Sequence, residues 1–206
     1  MDFDVITSSL KKGWDAFIGN IVAYIVGLII MIIGSILIVT AAPLMYGMYY
    51  MVLKGLRGEK VEIKDIFYGF SSVSMFIRSW IGFIVYILII VIIGFILGFI
   101  GGAISAATGS AAVASLMSLL ILIITYIIEI FVYYSLYIYV MTPSENIIYA
   151  MKESIGVGKS NILTVLITII LASIISILVI TAPLGMLFAA SVLKELNPGL
   201  KDASAQ

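Results

Sequence analysis

Three stretches of this chain contain no Asp, Glu, Lys or Arg: between Asp15 and Lys54, between Arg78 and Glu129, and between Lys159 and Lys194. Each is longer than the roughly 20 apolar residues that one bilayer crossing requires. Composition points the same way, because 63% of the residues are apolar and 11% are charged, where a soluble domain is roughly half apolar and a quarter charged. A soluble fold of this length has no interior large enough to hide so much apolar surface. The chain reads as an all-α, polytopic membrane protein.

The apolar run after Lys11 and Lys12 far exceeds a signal-peptide core, and no small-residue cleavage site closes it early, so the first helix is expected to stay in the membrane. Cysteine and histidine are both absent, which excludes thiol nucleophiles, disulfides, zinc sites, imidazole bases and the serine triad. No enzymatic activity, cofactor or metal is expected. The formal net charge is +0, which gives no footprint for nucleic acid. Membrane lipids, a second copy of the chain or another membrane protein are the expected partners.

As one helix, the stretch 16–53 would be a rod of about 57 Å, nearly twice the hydrocarbon thickness. It must double back or protrude. Pro43 marks the expected turn, because proline lacks an amide donor and disfavours helix in the residue before it. A helix over 17–42 would then be followed by a short return over 43–55. The last stretch repeats this pattern, with 162–180 leading to Thr181-Ala182-Pro183 and a return to Leu196. Between them, 80–104 and 112–140 predict a central hairpin with a small-residue turn over 105–111. Six helices in three hairpins place Lys11, Lys12, Lys54, Arg57, Lys60, Lys64, Arg78, Lys152, Lys159, Lys194 and Lys201 on one side, which is every basic residue in the chain. The positive-inside rule makes that side, and both termini, cytoplasmic, in a multi-pass protein of the cell membrane. The returns after Pro43 and Pro183 are short for a full crossing and are expected to be half-membrane helices or to thin the bilayer.

The chain also repeats. Ala42-Pro43-Leu44 and Val52-Leu53-Lys54 recur at one offset as Ala182-Pro183-Leu184 and Val192-Leu193-Lys194. Asp65-Ile66-Phe67-Tyr68-Gly69-Phe70 has a counterpart in Asn146-Ile147-Ile148-Tyr149-Ala150-Met151, and Arg78-Ser79 in Lys159-Ser160. These matches divide a single transmembrane domain over 1–206 into units of about 5–57, 65–142 and 146–197. Each unit is a short amphipathic interface helix followed by a hairpin. Asp65 and Ser144 are expected to cap two interface helices, and Trp14, Phe17, Phe67 and Phe70 to lie at headgroup depth.

Gly13-Trp14 with Phe17 and Asn20, Pro43-Leu44 with Gly47, Arg57-Gly58-Glu59, and Asp65-Ile66-Phe67 with Gly69-Phe70 resemble a broad group of uncharacterised prokaryotic six-helix membrane proteins. The segment is similar to the membrane domain fused to some glycerophosphodiester phosphodiesterases. The resemblance lies mainly within 11–70 and implies a fold and a location rather than a reaction.

Glu129 is the one charged residue deep inside an apolar segment. It should be protonated, paired or facing a cavity, and Tyr126 and Tyr133 lie one helical turn away on its face. It is a candidate proton or cation site, or else a neutral carboxyl locking helices together. Gly94, Gly98 and Gly102 form a small-residue stripe that suits close helix packing. Gly156-Val157-Gly158-Lys159-Ser160 imitates the end of a phosphate loop, but Glu153 stands where the loop needs glycine and no strand precedes it. Tyr46, Tyr49, Tyr50, Tyr133, Tyr134, Tyr137 and Tyr139 fit either an aromatic pocket or an interfacial belt, and the Lys54–Asp65 region reads as a solvated loop. The expected role is a non-enzymatic packing, assembly or lipid-associated component; the alternative is a small transporter using Glu129.

Overall fold

In hydrocarbon every peptide N–H must find an acceptor within the chain, so charge-free apolar segments become helices. The computed structural model describes residues 3–200 and is 85% helical, with no strand among the described residues. The order is α1 (Phe3–Gly19), α2 (Ile21–Gly34), α3 (Ile38–Leu56), a 3-10 segment (Ile63–Phe70), α4 (Val73–Thr108), α5 (Ala111–Val132), α6 (Ser135–Met141), α7 (Ile147–Ser160), α8 (Ile162–Ile175), a 3-10 turn (Val179–Thr181) and α9 (Ala182–Leu196). Three segments are long and apolar enough to cross a membrane: α4, α5 continued by α6, and Val179–Leu196. The number rises to five if the bent pairs α1–α2 and α7–α8 each count as one span. Lys201 lies outside the described residues.

The first and last hairpins turn earlier than expected. Pro43 sits inside α3, and the reversal between α2 and α3 falls at Ser35-Ile36-Leu37. Pro183 stands in the first turn of α9, and the reversal falls at Ser176-Ile177-Leu178. Proline is tolerated near a helix start, but it leaves the carbonyl four residues back without its amide donor. The two copies meet that need differently. Trp80 Nε1–H donates to the freed Val39 carbonyl across 3.3 Å, whereas the freed Val179 carbonyl takes the Ala182 N–H in a 3-10 turn. The last hairpin has one residue fewer between its threonine and its proline.

Asn20 and Asn161 mark sharp elbows. There α1 meets α2 at 85° and α7 meets α8 at 107°, and each asparagine returns its Nδ2 to the carbonyl four residues back, Ala16 or Val157, at 3.2 Å. Two cap expectations are corrected. The Asp65 carboxylate accepts the Glu62 N–H at 2.8 Å from inside the 3-10 segment rather than from its cap, and Asn146, not Ser144, caps α7 by accepting the Tyr149 N–H at 2.9 Å.

The core is built from the returning helices. Met48, Met51, Val52 and Leu53 of α3, Ile138 and Met141 of α6, and Leu187, Phe188, Val192 and Leu193 of α9 are all but fully buried. Around them α1 packs on α9, the 3-10 segment on α3, and α7 on α5 and α6. Glycines make these approaches possible. A Cβ on Gly47 would overlap the Ile66 carbonyl, one on Gly69 the Pro43 carbonyl, and one on Gly13 would lie 3.0 Å from the Phe188 nitrogen. Phe17 and most of the tyrosines are drawn into this body instead of forming a headgroup belt. Phe17 stacks on Tyr24 at 5.9 Å, and Tyr46, Tyr134, Tyr137 and Tyr139 are buried; Trp14, Phe67 and Phe70 stay exposed.

Helix length separates the hairpins. With 14 residues each, α2 and α8 are about 21 Å long, whereas the 36 residues of α4 make about 54 Å. Past Gly82 the only buried residue of α4 is Gly101, which meets Ile121 of α5. The central hairpin therefore leaves the packed body as two helices held mainly by each other.

Candidate functional site

Glu129 lies half-buried on α5. Tyr133, one turn on, is within electrostatic range of its carboxyl, as expected, and so is Tyr86 of α4. Tyr126 instead is 40% exposed and lines an apolar groove between α5 and α8 with Ile130, Leu166 and Ile170. Tyr86 carries no local sequence signal, because its pairing with Glu129 arises only when α4 and α5 meet.

Arg78 forms the polar anchor at the base of the central hairpin. Its Nε donates to Tyr46 Oη at 3.1 Å, one terminal nitrogen to the Glu145 carbonyl at 2.6 Å, and the other to the carbonyls of Tyr139 at 2.6 Å and Thr142 at 2.8 Å. Its guanidinium also covers the Tyr139 ring at 3.7 Å. These carbonyls close the C-terminal end of α6, where the helix dipole favours a cation. The charge is thus met by oriented dipoles and a π face, a pattern that Arg satisfies through its planar fork and Lys does not. The repeat pattern placed Arg78 at the start of the central hairpin but gave no hint of this network.

Lys54, at the end of α3, reaches Asp65 at 2.8 Å, and both side chains are largely enclosed. The Lys54–Asp65 region is therefore a clamp holding the 3-10 segment on α3 and not only a solvated loop. Farther out, Lys64 bonds to Glu62 and holds that exposed carboxyl below the usual carboxylate range.

At the far end of each flanking hairpin the same device recurs. The Thr40 hydroxyl donates to the carbonyls of Gly34 and Leu37, and the Thr181 hydroxyl to those of Ile175 and Leu178. Backbone amides of Ser35, Ile36 and Leu37 bond back to Met31, Ile33 and Gly34. Apart from Ser35 and Ser176 the turn residues are apolar and bare, with Ile36 78% and Ile177 74% exposed. Apolar side chains standing bare on a turn favour hydrocarbon over water.

The glycine stripe packs on no other described part of the chain. A Cβ on Gly94, Gly98 or Gly102 would meet nothing within 4 Å, because the face of α4 that meets α5 is the one carrying Gly101. No family model, curated protein or solved structure matches the chain.

Proposed function

We propose that this chain is a non-enzymatic, lipid-associated component of the cell membrane that works as a wedge. Its termini and basic residues face the cytoplasm, only the central hairpin reaches the far side, and the flanking hairpins end within the bilayer. The observation that carries this reading is the difference in length between α2 or α8 and α4, joined to the bare apolar side chains of Ile36 and Ile177 at the turns. Helices shorter than the hydrocarbon are matched by local thinning, and a body that narrows to two helices occupies more area in one leaflet than in the other. The three units are read as copies of one interface-segment-plus-hairpin plan, which the packing of α1 on α9, the 3-10 segment on α3 and α7 on α5 and α6 supports.

Reconstitution tests this. Proteoliposome diameter should fall as protein density rises, with proton uptake the same in wild type and Glu129→Gln. The cluster of Glu129 with Tyr86 and Tyr133 supports the competing transporter reading; proton or solute flux that disappears in Glu129→Gln, with no effect on vesicle size, establishes that reading instead.

A further inference from the structure

At the first elbow, α1, the end of α3 and the end of α9 border an open cleft of about 670 Å³, within the size range of small-molecule sites. Six charged residues line it, Lys12, Lys60 and Lys194 with Asp15, Glu59 and Glu195, of which Lys12 pairs with Glu195 and Glu59 with Arg57. A second cavity of about 490 Å³ shares Gly19, Asn20 and Lys60 with the first and continues beside Ile18, Ile21 and Val22, whose side chains are exposed. Asn20 fixes the wall between the two, since its Oδ1 accepts the Val61 N–H at 2.9 Å and so ties the elbow to the loop after Gly58. Gly19 stands at the junction, where an added Cβ would meet nothing within 4 Å.

A cleft of mixed charge continuing into a groove with an apolar side at the root of a membrane helix has the polarity profile of a phospholipid. We propose that it binds a phospholipid whose headgroup carries a phosphate and a primary amine, the phosphoethanolamine class, with its acyl chains along Ile18, Ile21 and Val22. Lys60 meets the phosphate and the Asp15 carboxylate accepts the ammonium N–H groups. A quaternary ammonium has no N–H to give and is held by aromatic faces, which the lining does not offer; a purely anionic head would leave Asp15 opposed. This assignment rests on the membrane reading above.

The test is native mass spectrometry of the full chain with phosphatidylethanolamine, phosphatidylcholine and phosphatidylglycerol, run beside soluble phosphoethanolamine as competitor. Phosphatidylethanolamine should be retained about ten-fold over the other two. Gly19→Trp should remove that preference without lowering the unfolding temperature in lipid-free detergent, and the double change Glu59→Gln, Lys60→Gln, on an exposed loop, should do the same. Equal retention of the three lipids, a preference untouched by both variants, or displacement by soluble phosphoethanolamine at the lipid's own concentration overturns the proposal. Cysteine accessibility of the hairpin turns reports the membrane reading separately, so a lost preference with an intact accessibility pattern is a failure of this site alone.

Discussion

The most apolar windows of α4 and α5 have no buried residue, while 56% of the corresponding window ending in α9 is buried. Hydropathy already ranks them, at 3.2 and 2.5 for α4 and α5 against 1.5 for the segment ending in α9, which carries Lys194 and Glu195. The chain around them differs as well: α3 and α9 are gripped by the 3-10 segment and α1 at glycine contacts, whereas α4 beyond Gly82 buries only Gly101, against α5, and α5 is buried only at Ile130 and Val132, where α7 approaches. Stability is thus expected to concentrate in the body and contact with lipid in the central hairpin.

Substitution at glycines should break this comparison most visibly. Gly47→Val sets a side chain against the Ile66 backbone carbonyl, which has no rotamer with which to yield. A loss of about 3 kcal/mol or more is expected, seen as a large drop in the thermal midpoint in detergent. Next comes Arg78→Lys, which keeps the charge but cannot reproduce four donations in one plane. It should cost about 2 kcal/mol, and a hydrogen-exchange measurement should show α6 opening more readily. Thr40→Val and Thr181→Val each remove a hydroxyl from a turn without changing its shape. Each should cost roughly 1 kcal/mol, with the two losses adding because the turns are independent. Equal unfolding shifts would mark them as copies of one device. The smallest effect belongs to Gly98→Ala, where the space is open; a gain of up to about 1 kcal/mol is expected from helix propensity. A clear loss there would mean that another chain packs on this face.

The sequence displayed the helical, membrane-adapted class and the doubling back of the outer stretches, because charge-free length and proline are local signals. It misplaced the turns, since a proline can also stand inside a helix start if a distant donor, here Trp80, serves the carbonyl it frees. The elbows at Asn20 and Asn161 were hidden because each joins an amphipathic segment to an apolar one without proline or charge. Among the site residues, Glu129 and Tyr133 were visible through helical spacing, but Tyr86 and the partners of Arg78 depend on contacts between segments far apart in sequence. The glycine stripe follows the same rule: spacing shows that small residues share a face, not which face meets a neighbour.

Because the chain contains no cysteine, single-cysteine labelling with a membrane-impermeant maleimide in sealed vesicles addresses the central claim, that the flanking hairpins end inside the bilayer. Lys60→Cys should react from one side and Ser110→Cys from the other, while Ile36→Cys and Ile177→Cys react with neither until detergent is added. Labelling of Ile36→Cys or Ile177→Cys from the same side as Ser110→Cys would contradict the account.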